Sequence, residues 1–153
     1  MMVLMKLFVT ATLLAAAAFT LSASDLAEIK TVYLLPMGSG LDQYLALKLT
    51  SEGVLTVVTD PKKADAVITD KIGHAFEQKL DELYGHMSGK EDPNERPAAN
   101  PVSRGHGAIF LVDRKTRDVI WSTYEPIKGT QSDDLNRVAG KIAHQLEKDR
   151  KGK

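Results

Sequence analysis

The 153-residue chain contains no cysteine. Disulfides and thiolate metal sites are therefore excluded, and so is the lipid anchor of a bacterial lipoprotein, which needs a cysteine at its cleavage point. One-sided charge is missing as well: 20 basic residues face 20 acidic ones, and no segment is a long run of either sign. A nucleic-acid binder normally carries a basic patch or stripe, and a peripheral membrane protein a basic amphipathic helix. Neither pattern is present. The uncharged stretch from Leu7 to Leu21 falls short of the ~20 apolar residues that span a bilayer. Its run Ala15–Ala18 is only mildly hydrophobic.

That same stretch is what the amino terminus does have. Lys6 supplies one positive charge, Leu7–Leu21 an apolar segment, and Leu21-Ser22-Ala23-Ser24 a small-residue exit. These are the three parts of a signal peptide, assigned to residues 1–23, with cleavage after Ala23 or Ser24. The alternative is an uncleaved anchor. Cleavage removes Lys6 alone among the charged residues, leaving 19 basic against 20 acidic. The expectation is a periplasmic or secreted protein, without stable membrane insertion once the signal is removed. Residues 24–153 form a single domain, and about 130 residues are enough to bury a core without disulfides.

Apolar patterning places the elements. Lys30–Leu35 is β-branched and apolar on both faces, as in a strand from the middle of a sheet. After Pro36, Ser39-Gly40-Leu41-Asp42 matches a capping box. Leu41, Tyr44, Leu45 and Leu49 then recur at helical spacing up to Gly53. Val54–Thr59 is a second strand, parallel to the first across the helix. A third strand is centred on Val67 and Ile68 within Ala64–Lys71, and a second helix carries Phe76, Leu80, Leu83 and Tyr84 on one stripe before Gly85. Residues 86–104 hold Pro93, Pro97 and Pro101 and little to bury, which marks an insertion. Gly107–Val112 and Val119–Thr123 flank a polar turn as a hairpin. A final helix starts at Ser132 and presents Leu135, Val138, Ala139, Ile142 and Leu146 on one face. The order βαββα, insertion, ββα is that of an α+β domain, a mixed sheet covered by helices.

The strand "ADAVITD" at 64–70 and the hairpin "FLVDRKTRDVIWS" at 110–122 resemble exported bacterial envelope domains. These are the families of the curli-secretion protein CsgG, the penicillin-binding-protein activator LpoB and the amino-terminal domain of TolB. The resemblance covers residues 30–146 without the insertion, and implies a small α/β sandwich. This chain lacks the lipoprotein cysteine, the pore-forming segments and the β-propeller found among those relatives. The fold is what the likeness carries over; pore formation or enzyme activation is not, because fold alone does not fix function.

Candidate chemistry is sparse. His74, Glu77 and Asp81 share a helix face at a spacing that can hold a divalent metal, and His86 or His106 could complete such a site. The same face is where an amphipathic helix puts its solvated residues. Gly38-Ser39-Gly40, between a strand and a helix, is a candidate anion-binding turn, but it has neither P-loop nor G-x-G-x-x-G spacing. No serine sits in a G-x-S-x-G elbow. No catalytic, cofactor-binding or metal residue is assigned. The leading expectation is a non-enzymatic domain acting by protein–protein contact in the envelope. Its candidate partner edge is the hairpin at Arg114, Thr116 and Trp121, with Trp121 also expected in the core. The alternatives are a binder of a small anionic or carbohydrate ligand at Gly38–Gly40 and, third, a metal-dependent hydrolase.

Overall fold

A computed structural model describes residues 26–85 and 107–152. The expected signal peptide and the 86–104 insertion lie outside the described residues, as do His86 and His106. The elements follow the expected order: β1 (Thr31–Leu34), α1 (Leu41–Ser51), β2 (Thr56–Val57), β3 (Ala66–Thr69), α2 (His74–Tyr84), β4 (Ala108–Asp113), β5 (Val119–Tyr124) and α3 (Ser132–Lys151). The five strands form one mixed sheet in the order β2-β1-β3-β4-β5. β1 is parallel to both β2 and β3, while β3–β4 and β4–β5 are antiparallel.

Strand alternation sends side chains to two faces, and helices cover both. Val32, Ala66, Ile68, Ile109, Leu111 and Trp121 pack with the apolar faces of α1 and α3. On the other side Leu35, Val67 and Val112 meet Phe76 and Leu80 of α2. All four residues of β3 are buried, which accounts for the consecutive apolar Ala66, Val67 and Ile68: the strand sits in the middle of the sheet under helices on both faces. Each large aliphatic side chain removed from water in these two layers contributes about 1.5–3 kcal/mol.

Two local expectations are corrected. β2 has two residues in place of the six from Val54 to Thr59. The Val54 N–H bonds back to the Leu49 carbonyl at 3.0 Å, so the chain is still completing the end of α1 when the expected strand would begin. The capping box at Ser39 does not form. Ser39 adopts φ 60° and Gly40 φ 76°. Gly40 is then the N-cap of α1, and no side chain caps that position. Asp42 instead accepts from the Met37 N–H at 3.0 Å.

The start of the sheet is held by two side-chain clamps. Arg150, near the end of α3, donates to the Ile29 carbonyl at 2.8 Å and also to the Val54 carbonyl, which ties α3 to the chain entering β1 and β2. Asp65, just before β3, accepts from the N–H groups of Lys30 and Thr31 at 3.0 and 3.1 Å. Burial pushes the Asp65 carboxyl up, but those N–H groups, Thr31 and the Lys115 ammonium outweigh it and hold it below its ordinary 3.8. A folded-state pKa below the unfolded one gives stabilisation that is present above pH 3.8 and is lost as pH falls through the lower folded value. Urea unfolding from about pH 7 down to pH 2 should therefore show wild type losing more stability in that acid window than Asp65→Ala. Parallel losses in the two proteins would mean that the carboxylate does not clamp β1 to β3.

Candidate functional site: the turn and free edge of the β4–β5 hairpin

The hairpin turn is built around a buried carboxylate. Asp113 is 2% exposed and accepts from the N–H groups of Lys115 and Thr116 at 2.8 and 2.9 Å, so its side chain does the work of a turn's backbone bonds. The Thr116 hydroxyl accepts from the Asp118 N–H at 3.3 Å. Arg117, at φ 62°, reaches across to α2. It pairs with Asp81 at 2.6 Å and donates to the Gly85 carbonyl at 3.0 Å, serving the exposed end of that helix. Arg114 donates to the Lys62 and Ala64 carbonyls, and its guanidinium lies 4.9 Å from the centre of the Tyr84 ring. Burial raises the Tyr84 phenol above its usual pKa, against the pull of Arg114. The turn expected to present Arg114 and Thr116 outward is thus bonded into the domain, and both residues are half-buried.

Among the described residues β5 is an edge of the sheet. The Glu125 N–H donates to the Gly107 carbonyl at 2.9 Å. In an antiparallel ladder, pairs that exchange hydrogen bonds alternate with pairs that do not. That bond therefore sets the phase: Trp121 and Thr123 direct their backbone groups to β4, and Ser122 and Tyr124 direct theirs away from the sheet. Side chains divide differently. Trp121 is 8% exposed, turns into the α1/α3 layer and donates from Nε1 to Asp149 at 2.8 Å. It stands on the candidate edge, but its indole belongs to the core. On the opposite face Val119 is 46% and Tyr124 63% exposed. Ser122 and Tyr124 were not singled out from the sequence. Their role depends on which strand is the edge and on the ladder's phase, neither of which period-2 alternation encodes.

The second candidate, Gly38-Ser39-Gly40, lies at the carboxyl end of β1. β1 leads into α1 on one face and its parallel neighbour β3 into α2 on the other, which is where open α/β sheets form ligand crevices. A cavity of about 270 Å³ lies beside the turn, lined by Leu35, Pro36, Asp70, Lys71, Phe76 and Lys79 among others. The N–H groups of Gly38 and Gly40 are already engaged, however, as is that of Met37 just before them. Gly38 donates to Asp70 at 3.0 Å, Met37 to Asp42 at 3.0 Å, and Gly40 to the Met37 carbonyl at 3.3 Å. Two carboxylates stand where an anion would need to be received.

His74, Glu77 and Asp81 do share α2, but Asp81 is committed to Arg117. Among the described residues no group of three metal-ligating side chains converges. No helix among the described residues is long and apolar enough to cross a membrane. Comparison with protein-family models, with curated proteins and with solved structures gave no match. The likeness to exported envelope domains therefore rests on the residues at 64–70 and 110–122.

Proposed function

We propose that this is an exported, non-enzymatic domain that acts by protein–protein contact in the bacterial envelope, and that the contact is made along the free edge of β5. The observation that carries the reading is the character of that edge. Val119-Ile120-Trp121-Ser122-Thr123-Tyr124 holds no charge and no proline, two of the devices that protect a sheet edge; a third, a register irregularity, lies between Trp121 and Val119 and leaves Ser122–Tyr124 in regular register. Its outward backbone groups and the exposed Val119 and Tyr124 are what an added strand needs, hydrogen bonds for affinity and side chains for specificity. The signal-peptide pattern and the likeness to envelope domains supply the compartment.

A photoreactive residue at Tyr124 or Thr116 is expected to trap one dominant protein in intact envelopes. The same residue placed at Leu47, an exposed site on α1, should not. Scattered low-yield adducts from both hairpin sites would defeat the reading. The crevice beside Gly38 favours a second one, a small-ligand protein. Its lining sets Lys71 and Lys79 beside Asp70, and the ligand class is a small anion or a carbohydrate. A metabolite panel that raises the melting temperature would select this second reading.

A further inference from the structure

The irregularity in the hairpin gives β5 a symmetry that its sequence hides. Leu111 pairs with Trp121, but Val112 pairs with Val119, so Ile120 is the extra residue of a β-bulge. Ile120 packs against the α1/α3 core, and Val119 moves into the ladder position one step beyond Trp121. Directly opposed residues share a face, so Val119 lies with Val112 on the α2 side, where Ser122 and Tyr124 also point. Counted along the ladder, Val119 is two steps to one side of Ser122 and Tyr124 two steps to the other. The two exposed apolar residues of the strand are equidistant from its outward-facing serine.

We infer that the strand taken up by β5 is β5 of a second copy of this chain, paired antiparallel about Ser122; this rests on the docking-edge reading above. A twofold axis through Ser122 lets the outward N–H and C=O of that residue bond to the same groups of the copy. It also sets Tyr124 of each chain opposite Val119 of the other. The result is two equivalent aromatic–β-branched cross-strand pairs, a combination that stabilises sheets, in the self-complementary contact a cyclic dimer requires. A slip of one residue turns these side chains to opposite faces, and a slip of two sets Tyr124 beside Ser122, so the pattern selects one register. No charge lies within the paired stretch. At its margins Glu125 comes opposite Asp118 of the copy, and Glu125 is bonded within its own chain to Lys141 at 3.0 Å. Two joined edges make one ten-stranded sheet.

Sedimentation of the exported protein should reveal a concentration-dependent dimer below about 1 mM. Tyr124→Lys should weaken it at least about tenfold by placing charges into both cross-strand pairs. Ser122→Pro, which removes only an outward N–H, should weaken it too, and circular dichroism checks that both variants stay folded. Since the chain has no cysteine, Ser122→Cys offers a register test: a hydrogen-bonded antiparallel pair has Cα atoms ~5.5 Å apart, within disulfide range. Mild oxidation should link Ser122→Cys chains and leave Thr123→Cys chains unlinked. A wild-type monomer at ~1 mM, or a dimer indifferent to both Tyr124→Lys and Ser122→Pro, overturns the inference. If that monomer still gives a dominant Tyr124 crosslink to a different protein, only the second copy is lost. If it gives none, the docking edge falls as well.

Discussion

Replacing Trp121 with alanine is expected to lower the free energy of unfolding by about 3–5 kcal/mol, the usual cost of truncating a large buried aromatic. The ring is the point where β5, α3 and the sheet's inner face meet. It is 8% exposed, lies in the same apolar cluster as Leu111, Val138 and Ile142, and uses its only polar atom to donate to Asp149 at 2.8 Å. Trp121→Phe should cost less, because it keeps much of the apolar area and forfeits mainly a hydrogen bond to a charged group, about 1.5–3 kcal/mol. The measurement is urea unfolding followed by far-ultraviolet circular dichroism, read as a lower midpoint at unchanged slope. A loss for alanine under about 1 kcal/mol, the level of surface substitutions, would mean that the indole faces a partner and not α3.

The order of elements was legible because the period of apolar residues changes sharply along this chain. Val67 and Ile68 are adjacent β-branched residues at the centre of a short strand pattern, and the structure puts them in the central strand. Leu135, Val138, Ala139, Ile142 and Leu146 recur at helical spacing, and all are buried on one face of α3. What the sequence did not disclose depends on distance along the chain. Asp65 binds N–H groups 34 and 35 residues earlier, and Arg114 packs on Tyr84. No local pattern announces such pairs. The turn at Ser39 misled for a different reason. The capping-box residues are present, but two consecutive left-handed residues, Ser39 and Gly40, rotate the serine out of the cap and leave Asp42 to serve Met37. At β5 the identity of the residues was plain while their roles were not. Trp121 and Tyr124 are three apart on one strand, so alternation puts them on opposite faces; which face the helices α1 and α3 cover, and which backbone groups point outward, follows only from the sheet order and the ladder phase.

That phase is anchored at Gly107, so Gly107→Ala carries the second large effect. Gly107 adopts φ +102°, and a Cβ there would stand 1.9 Å from the Glu125 carbonyl oxygen and 2.7 Å from its carbon. Both are backbone atoms, so no side-chain rotation relieves the overlap. β4 and β5 must separate where the Glu125 N–H bonds to Gly107 at 2.9 Å. The expected loss is on the order of 3 kcal/mol or more, combining backbone strain with a broken ladder bond. Gly53→Ala is the control. Gly53 is also left-handed, at φ +65°, but nothing lies within 4 Å of its added carbon, so that change should cost only about 1–2 kcal/mol. Folded Gly107→Ala protein should also lose crosslinking at Tyr124, because that residue's outward backbone groups depend on the phase the Gly107–Glu125 bond imposes. If alanine at 107 proves no worse than alanine at 53, the strands do not approach this closely in solution. Ser122 and Tyr124 would then lose their assignment as the outward residues of the edge.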